Sequence, residues 1–366
     1  MRSFTRHVFR SAALAILTLA LCRPALAEPV TITFLHTNDV YEIAPIDGQG
    51  GFAPLATLLE QERAKSEHSI TTFGGDLISS SLLSGLTKGT QMVALMNQVG
   101  TDIAVLGNHE FDFAPAIAQE RVEASKFPWL GTNVLGRDGK PAVGTVDLKL
   151  MDVAGYKVGF FGLLTPQTDT LSSPRPGITF SPILATARSA VERLEQQGAD
   201  VIVALTHLDL ADDRQLAHSV EDIDLILGGH DHEPISFYEG GTLIVKAGHD
   251  AHYLAVVDLK VDRVTEKDKE VVKIVPSWRY LSTAGVAPEP EVQAMVEGYN
   301  QKLDEELNVP VGTTTVELDS RRSTVRTEES NFGNLMSDAI REATGADVAI
   351  TNGGGIRGDR TYPAGT

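Results

Sequence analysis

The chain has 366 residues, a formal net charge of −18 and a single cysteine. That length suits two domains, or one and a fraction, and it excludes a small disulfide-stapled scaffold. The acidic balance argues against general binding to nucleic acid or to anionic membranes, so an anionic ligand would have to be attracted locally.

Residues 1–27 read as a cleavable signal peptide. Arg2, Arg6 and Arg10 form a positive segment, and residues 12–21 are apolar but too short to span a bilayer. Ala25-Leu26-Ala27 is a small-x-small cleavage site, and Leu21 is too bulky for lipoprotein processing at Cys22. The mature chain is therefore expected to begin at Glu28, in the periplasm or outside the cell. Cleavage removes four arginines and no acids, taking the net charge from −18 to −22, and it removes the cysteine. No later run is long and apolar enough for a transmembrane helix.

Residues 30–35 alternate and are rich in β-branched side chains, which predicts a strand running into His36-Thr37-Asn38-Asp39-Val40-Tyr41. Helical spacing follows at 52–65. Strands are expected at 70–73, before Gly74-Gly75-Asp76, and at 103–105, before Leu106-Gly107-Asn108-His109-Glu110-Phe111-Asp112. Helices are expected at 92–99 and 114–124, a strand and loop at 129–133, and a hairpin over 146–161 turning at Ala154-Gly155. After a helix at 183–197 come strands at 200–205 and 224–227, ending in Thr206-His207 and Gly228-Gly229-His230-Asp231-His232. A strand meander occupies 243–247, 254–261 and 271–275. Residues 288–307 form a charged helix with sparse apolar positions, suited to a surface linker. Beyond it the pattern predicts β structure at 311–318, a helix at 331–344 and a strand at 347–351. Strand–helix alternation followed by antiparallel strands implies mixed sheets covered by helices.

Five strand ends carry metal-ligand side chains: Asp39, Asp76, Asn108, His207, and His230 with His232. Open α/β sheets place ligand sites at such carboxyl ends. Asn108 offers a neutral oxygen, His109 can donate to a developing oxyanion, and Asp112 can hold His109 in one orientation. Mixed oxygen and imidazole donors suit zinc, manganese, iron or cobalt better than calcium.

The ordered set Asp39, Gly75-Asp76, Gly107-Asn108-His109-Glu110, Thr206-His207 and Gly229-His230-Asp231-His232 resembles the calcineurin-like metallophosphoesterases. His36-Thr37-Asn38-Asp39, Asn331-Phe332-Gly333-Asn334-Leu335 and Asn352-Gly353-Gly354-Gly355-Ile356-Arg357 narrow the resemblance to the secreted 5′-nucleotidase family. The resemblance implies an α/β fold: a four-layer α/β/β/α sandwich over 28–286, a linker helix at 287–309 and a partial second α/β domain at 310–366. It implies two divalent ions, zinc, manganese or iron, about 3.5–4 Å apart, clamping an in-line displacement at phosphorus. Asp76 would bridge them, Asp39 and His232 would complete the first site, and Asn108, His207 and His230 the second. His109 would act on the leaving oxygen, oriented by Asp112. Arg326, Asn352, Gly354 and Arg357 match the nucleotide-binding positions, where glycines admit the ligand and guanidinium forks grip phosphate.

One position departs from the resemblance. The first motif of the family reads Asp-x-His, and here it reads Asp39-Val40-Tyr41. The expectation is that Tyr41 turns away and the first metal is held weakly; the alternative is a phenolate ligand, which favours ferric iron. The implied function is 5′-nucleotidase hydrolysis of nucleotides or other small phosphoesters. Hydrolysis of 2′,3′-cyclic phosphodiesters, nucleotide sugars or sulfur esters stands beside it on the same scaffold. A non-catalytic binding protein with a degraded first site is the rival from another class. No segment points to a protein partner. The family sandwiches the nucleobase between two aromatic rings, and after Phe332 only Tyr362 is aromatic here, so little base preference and continuation past Thr366 are expected.

Overall fold

The computed structural model describes residues 29–366 apart from Asp268, Asn308, Val311 and Arg357. The signal peptide and its cleavage site therefore lie outside the described residues. Two six-stranded mixed sheets dominate the first of two compact units. In one sheet Val30–Thr37, Ser69–Phe73, Ile103–Val105 and Trp129–Leu130 run parallel. Tyr253–Glu266 pairs antiparallel with the first of them and with the long edge strand Lys269–Ser282. In the other sheet Tyr156–Leu164, Val201–His207, Leu225–Gly228 and Thr242–Ala247 are parallel, flanked by antiparallel Leu148–Val153 and Pro234–Glu239.

The parallel strands are short, apolar and covered on both faces, as parallel pairing requires. Val201–His207 is buried at every residue. One face of each sheet packs on the other through a core that includes Phe34, Ile103 and Val105 from the first and Phe160, Val203 and Leu227 from the second. Phe34 meets Phe160 edge-on with ring centroids 6.3 Å apart. Outside the second sheet, Ala187, Ala190, Val191 and Leu194 of the helix Ile183–Gln196 pack on Phe161, Leu163 and Ala204. The helix Phe52–Arg63 covers the first sheet. The result is the four-layer α/β/β/α sandwich that the sequence implies.

His36 joins the sheets: Nδ1 lies 2.9 Å from Thr72 Oγ1 and Nε2 3.0 Å from the Gly228 carbonyl oxygen. Burial lowers its pKa to about 4, so the ring is neutral and one nitrogen donates to that carbonyl. It is thus the hydrogen-bonded strand-end residue that its position suggests.

The helix after the sandwich spans Pro290–Leu307, and the contacts divide the chain after Asn300. It is not only a surface linker. Val292 and Val296, one turn apart, are both buried, and Val292 shares a small cleft with Ala56 and Val99. In the second unit the expected strand at 311–318 is reduced to Leu318–Asp319, paired with Thr361–Tyr362. The expected strand at 347–351 does not form. Val348 is 72% exposed and Ile350 91%, because among the described residues no neighbouring strand accepts their backbone groups. The amphipathic helix Asn331–Thr344 is present, capped by the Ser330 hydroxyl, which accepts from Gly333 N at 3.0 Å.

Truncating a ring that is fully buried between the sheets should be costly. Phe160→Ala is expected to lower unfolding free energy by about 3–5 kcal/mol, read as a shifted urea midpoint with unchanged slope.

Candidate metal centre

All the ligand loops leave their strands at carboxyl ends, and the two sheets present those ends to a common cleft. Asp39, Asp76 and Asn108 come from the first sheet, and His207, His230 and His232 from the second. Close approach depends on glycine. A Cβ at Gly229 would lie 2.8 Å from His207 Nδ1 and 2.9 Å from Asp39 Oδ2, and one at Gly107 would collide with Asp76. Three ligand residues adopt left-handed backbone: Asp39 at φ 53°, Asp76 at 62° and His230 at 77°. Such conformations cost on the order of 1–3 kcal/mol in non-glycine residues and persist only where the surroundings hold them.

The surroundings are a set of buried hydrogen bonds. Glu110 accepts from the backbone N–H groups of Gly107, Asp76, Leu77 and Ile78, clamping two ligand loops with one carboxylate. The Asn38 amide donates to Asp39 Oδ2 at 2.7 Å and to the Gly248 oxygen at 2.6 Å, and its own oxygen accepts from Ala247 N. Lys246 is fully buried. Its ammonium donates to the carbonyls of Leu208 and Gly229, and it pairs with Asp213 at 2.8 Å and Asp231 at 2.5 Å. These three residues position the site, and a pattern-based reading passes over them. The signal available was chemical: a lysine inside the otherwise apolar strand Thr242–Ala247 needs buried acids.

The donor atoms converge in two groups. His207 is fully buried, and its Nδ1 donates to the Gly74 oxygen at 2.8 Å, which directs Nε2 at Asp76 Oδ2, 3.2 Å away. His230 Nδ1 lies 3.3 Å from the same Nε2. Asp76, His207 and His230 form a cluster able to hold a cation. Asn108, between Gly107 and His109, which both border Asp76, has a buried Oδ1 with no hydrogen-bond partner among the described residues. A buried amide oxygen without a donor costs about 1–3 kcal/mol, and a cation would satisfy it. This donor chemistry fits a divalent ion.

On the other side of Asp76, His232 Nε2 lies 3.4 Å from Asp39 Oδ1. Tyr41 does not turn away. Its hydroxyl sits 3.1 Å from Asp39 Oδ1, 3.2 Å from Asp76 Oδ2 and 3.1 Å from His232 Nε2. Two backbone constraints account for this: the left-handed turn at Asp39 and the bond from Tyr41 N to Asp250 Oδ1, 2.8 Å long, direct the ring inward. Burial, then the Asp76 and Asp39 carboxylates, push the phenol pKa upward.

The electrostatics are those of a cation site. Burial opposes a charged ring at His207, yet Asp76 and Asp39 outweigh it and raise the pKa to about 9. His109 behaves likewise: burial lowers it, while the Asp112 hydrogen bond of 2.6 Å and the Asp76 charge bring it to about 9. Asp112 is itself held by the Ser172 hydroxyl at 2.6 Å. His109 Nε2 faces the cluster, 3.9 Å from Asp76 Oδ2. His249 supports the rim, its ring stacked on His232 and its Nδ1 2.9 Å from the His232 carbonyl oxygen.

In the second unit the glycine turn Gly353–Gly355 packs on Val325 and Arg326 so closely that a Cβ at Gly353 would collide with the Val325 carbonyl. Asn352 caps this turn by accepting from Gly355 N at 2.9 Å. Arg326, Asn352 and Gly354 are thereby brought together, and Arg326 is exposed. Arg357 lies outside the described residues.

Comparison with known proteins bears on this arrangement. Residues 32–234 match the calcineurin-like phosphoesterase family, and residues 310–366 match the 5′-nucleotidase C-terminal domain. The chain belongs to the calcineurin-like phosphoesterase family. Among curated relatives, the trifunctional nucleotide phosphoesterase YfkN of Bacillus subtilis is 32% identical over 89% of this chain and 25% of its own length. The 5′-nucleotidase of Bos taurus is 28% identical over 95% of this chain and 68% of its own. The chain thus spans a quarter of the first relative and about two thirds of the second. The crystal structure of a 5′-nucleotidase precursor from Thermus thermophilus superposes with a TM-score of 0.72 at 24% identity, covering 92% of this chain and 71% of that one. At that identity the likeness shows the shared fold.

Removing the buried ammonium should expose the dependence of the His230 loop on it. Lys246→Ala is expected to cost about 3–5 kcal/mol in denaturant unfolding, because Asp213 is left buried without its cation. Pairing Lys246→Met with Asp213→Leu should recover much of that loss.

Proposed function

We propose that this chain is a metal-dependent phosphoester hydrolase of the 5′-nucleotidase type, acting on nucleoside 5′-monophosphates with two metal ions. Asn108 supports the reading most: its buried oxygen has no partner among the described residues, and the next residue, His109, is bonded through its backbone N–H to Asp76 of the cluster of converging carboxylate and imidazole donors. Asp76 would bridge the two ions, Asp39 and His232 would hold the first, and Asn108, His207 and His230 the second. When bound, such ions supply Lewis-acid activation of the phosphoryl group and of water.

The remaining steps belong to the chain itself. His109 holds a proton at Nε2, facing the cluster, and delivers it to the leaving ribose oxygen. The Asp112 carboxylate at Nδ1 fixes the ring and stabilises its charged form. A protein that only bound its ligand would have no use for this oriented acid, which favours the enzyme over the binding-protein reading. We assign Arg326, Asn352, Gly354 and Arg357 to the nucleotide on the strength of the family pattern. The domain limits follow the same reading, with catalysis over 28–286, a linker at 287–309 and substrate binding over 310–366. The signal peptide read at 1–27 supports a periplasmic or secreted location. Among the described residues no helix is long and apolar enough to cross a membrane.

Chelation should abolish hydrolysis, as should Asn108→Ala and His207→Ala, with metal content falling in both variants. His109→Ala should lower kcat about 10²–10³-fold while metal content stays near wild type. Phosphate release paired with elemental analysis checks both, and full activity in metal-free protein would end the reading.

Base recognition should be weak in this chain. Phe332 and Tyr362 stack on each other, with centroids 5.4 Å apart and planes 18° from parallel, which leaves no gap for a base between them. The kcat/KM values for adenosine, uridine and ribose 5′-monophosphates are expected to agree within about tenfold, whereas a stacking clamp is worth about 1–3 kcal/mol per base. A strong preference for one base would overturn this reading of the second unit.

A further inference from the structure

Tyr41 occupies a position defined by four separations. Its oxygen is 3.1 Å from Asp39 Oδ1, 3.2 Å from Asp76 Oδ2 and 3.1 Å from His232 Nε2, and Asp39 Oδ1 lies 3.4 Å from His232 Nε2. Donor atoms held about 2.0 Å from one tetrahedral metal ion lie about 3.3 Å from each other. The four separations therefore have the size of coordination-polyhedron edges, and a six-coordinate ion, whose adjacent donors lie about 2.8 Å apart, would draw these atoms in by a few tenths of an ångström. Hydrogen bonding alone accounts for them less well. A phenol has one proton and closes on one acceptor at about 2.7–2.8 Å, and here no acceptor is favoured over the others. The second group of donors repeats the spacing, with Asp76 Oδ2 to His207 Nε2 at 3.2 Å and His207 Nε2 to His230 Nδ1 at 3.3 Å.

The Tyr41 ring is also held in place. Its backbone N–H is bound to Asp250 Oδ1, its face meets His109 edge-on at 5.6 Å and 87°, and it lies 5.6 Å from the His232 ring. A side chain fixed on three sides with its oxygen at a donor vertex is arranged as a ligand.

We infer that Tyr41 is a direct ligand of the first metal site through its phenolic oxygen, and that this makes the first site selective for a hard trivalent cation of the ferric class. The inference rests on the two-metal reading of the cleft. Ligation forms the metal–oxygen bond as the O–H bond breaks, and the proton leaves to solvent; iron entering as the ferric ion needs no electron transfer. The two sites then differ in charge. The first combines three anionic oxygens, from Asp39, Asp76 and Tyr41, with one imidazole. The second combines the shared Asp76 with the neutral amide of Asn108 and two imidazoles, His207 and His230. Hard anionic oxygens match the smaller, more highly charged ion, and the nitrogen-rich set matches zinc or another divalent ion. The sequence departure at position 41 thus changes which metal the first site takes and leaves it intact as a site.

The test uses the full chain loaded with ferric iron and zinc, followed by visible absorption and metal content per chain. The wild type should hold one iron and one zinc and show a phenolate-to-iron band. Tyr41→Phe should lose the band and release iron to a chelator at least about tenfold faster, while zinc is retained. Tyr41→His should be colourless and fill both sites with zinc. A colourless wild type that nonetheless holds two metal ions would overturn the inference, as would a band unchanged in Tyr41→Phe. In either of those cases metal-dependent hydrolysis that is lost in Asn108→Ala leaves the phosphoesterase reading standing. A chain that takes up no metal at all would overturn both.

Discussion

One hydrogen bond between the sheets sets much of the site: His207, at the end of a buried strand of the second sheet, donates from Nδ1 to the backbone oxygen of Gly74 in the first. It fixes the orientation of a fully buried ring and directs the other nitrogen at Asp76. It also requires the carboxyl ends of the two sheets to stay level, because a register slip of one residue would turn His207 to the opposite face of its strand. His36 makes the matching tie from the first sheet to the Gly228 oxygen. Two imidazoles, each reaching across the sandwich to a carbonyl, thus align the loops before any ligand arrives.

That alignment works against strain and charge. Asp39, Asp76 and His230 sit in left-handed backbone, and two carboxylates are buried side by side. The compensation comes from preorganised donors: four backbone N–H groups on Glu110, the Asn38 amide on Asp39, and His230 N on the same Asp39 oxygen at 2.8 Å. A carboxylate held this way does not have to reorganise when a cation or a phosphate enters, which is where electrostatic catalysis gains most.

The sandwich was readable in the sequence because its strands are apolar runs punctuated by glycine and by ligand residues, and both patterns are local. The strand Pro234–Glu239 escaped because it follows a ligand loop and opens with proline, although Gly240-Gly241 after it is a hairpin signal. The helix Leu210–Ser219 escaped because it is strongly charged and buries only Asp213, Leu216 and Ala217. The ligand residues were readable as side-chain types at strand ends, whereas the direction of the Tyr41 ring was not. That direction depends on Asp250, 209 residues away in sequence, and on a left-handed turn at Asp39, a conformation aspartate tolerates but does not require. The expected strand at 347–351 failed for the opposite reason: its β-branched residues carry the propensity, but pairing needs a neighbour.

The ammonium of Lys246 joins Asp213, on the helix Leu210–Ser219, to Asp231 between two of the ligand histidines. Without the ammonium Asp213 would be a buried, unpaired charge, while a pair of apolar residues of similar volume would fit that interior. Loss of Lys246 is therefore expected to require a change at Asp213, because a chain that kept the acid alone would have a His230 loop without its anchor. Among relatives, the two positions should drift as a unit.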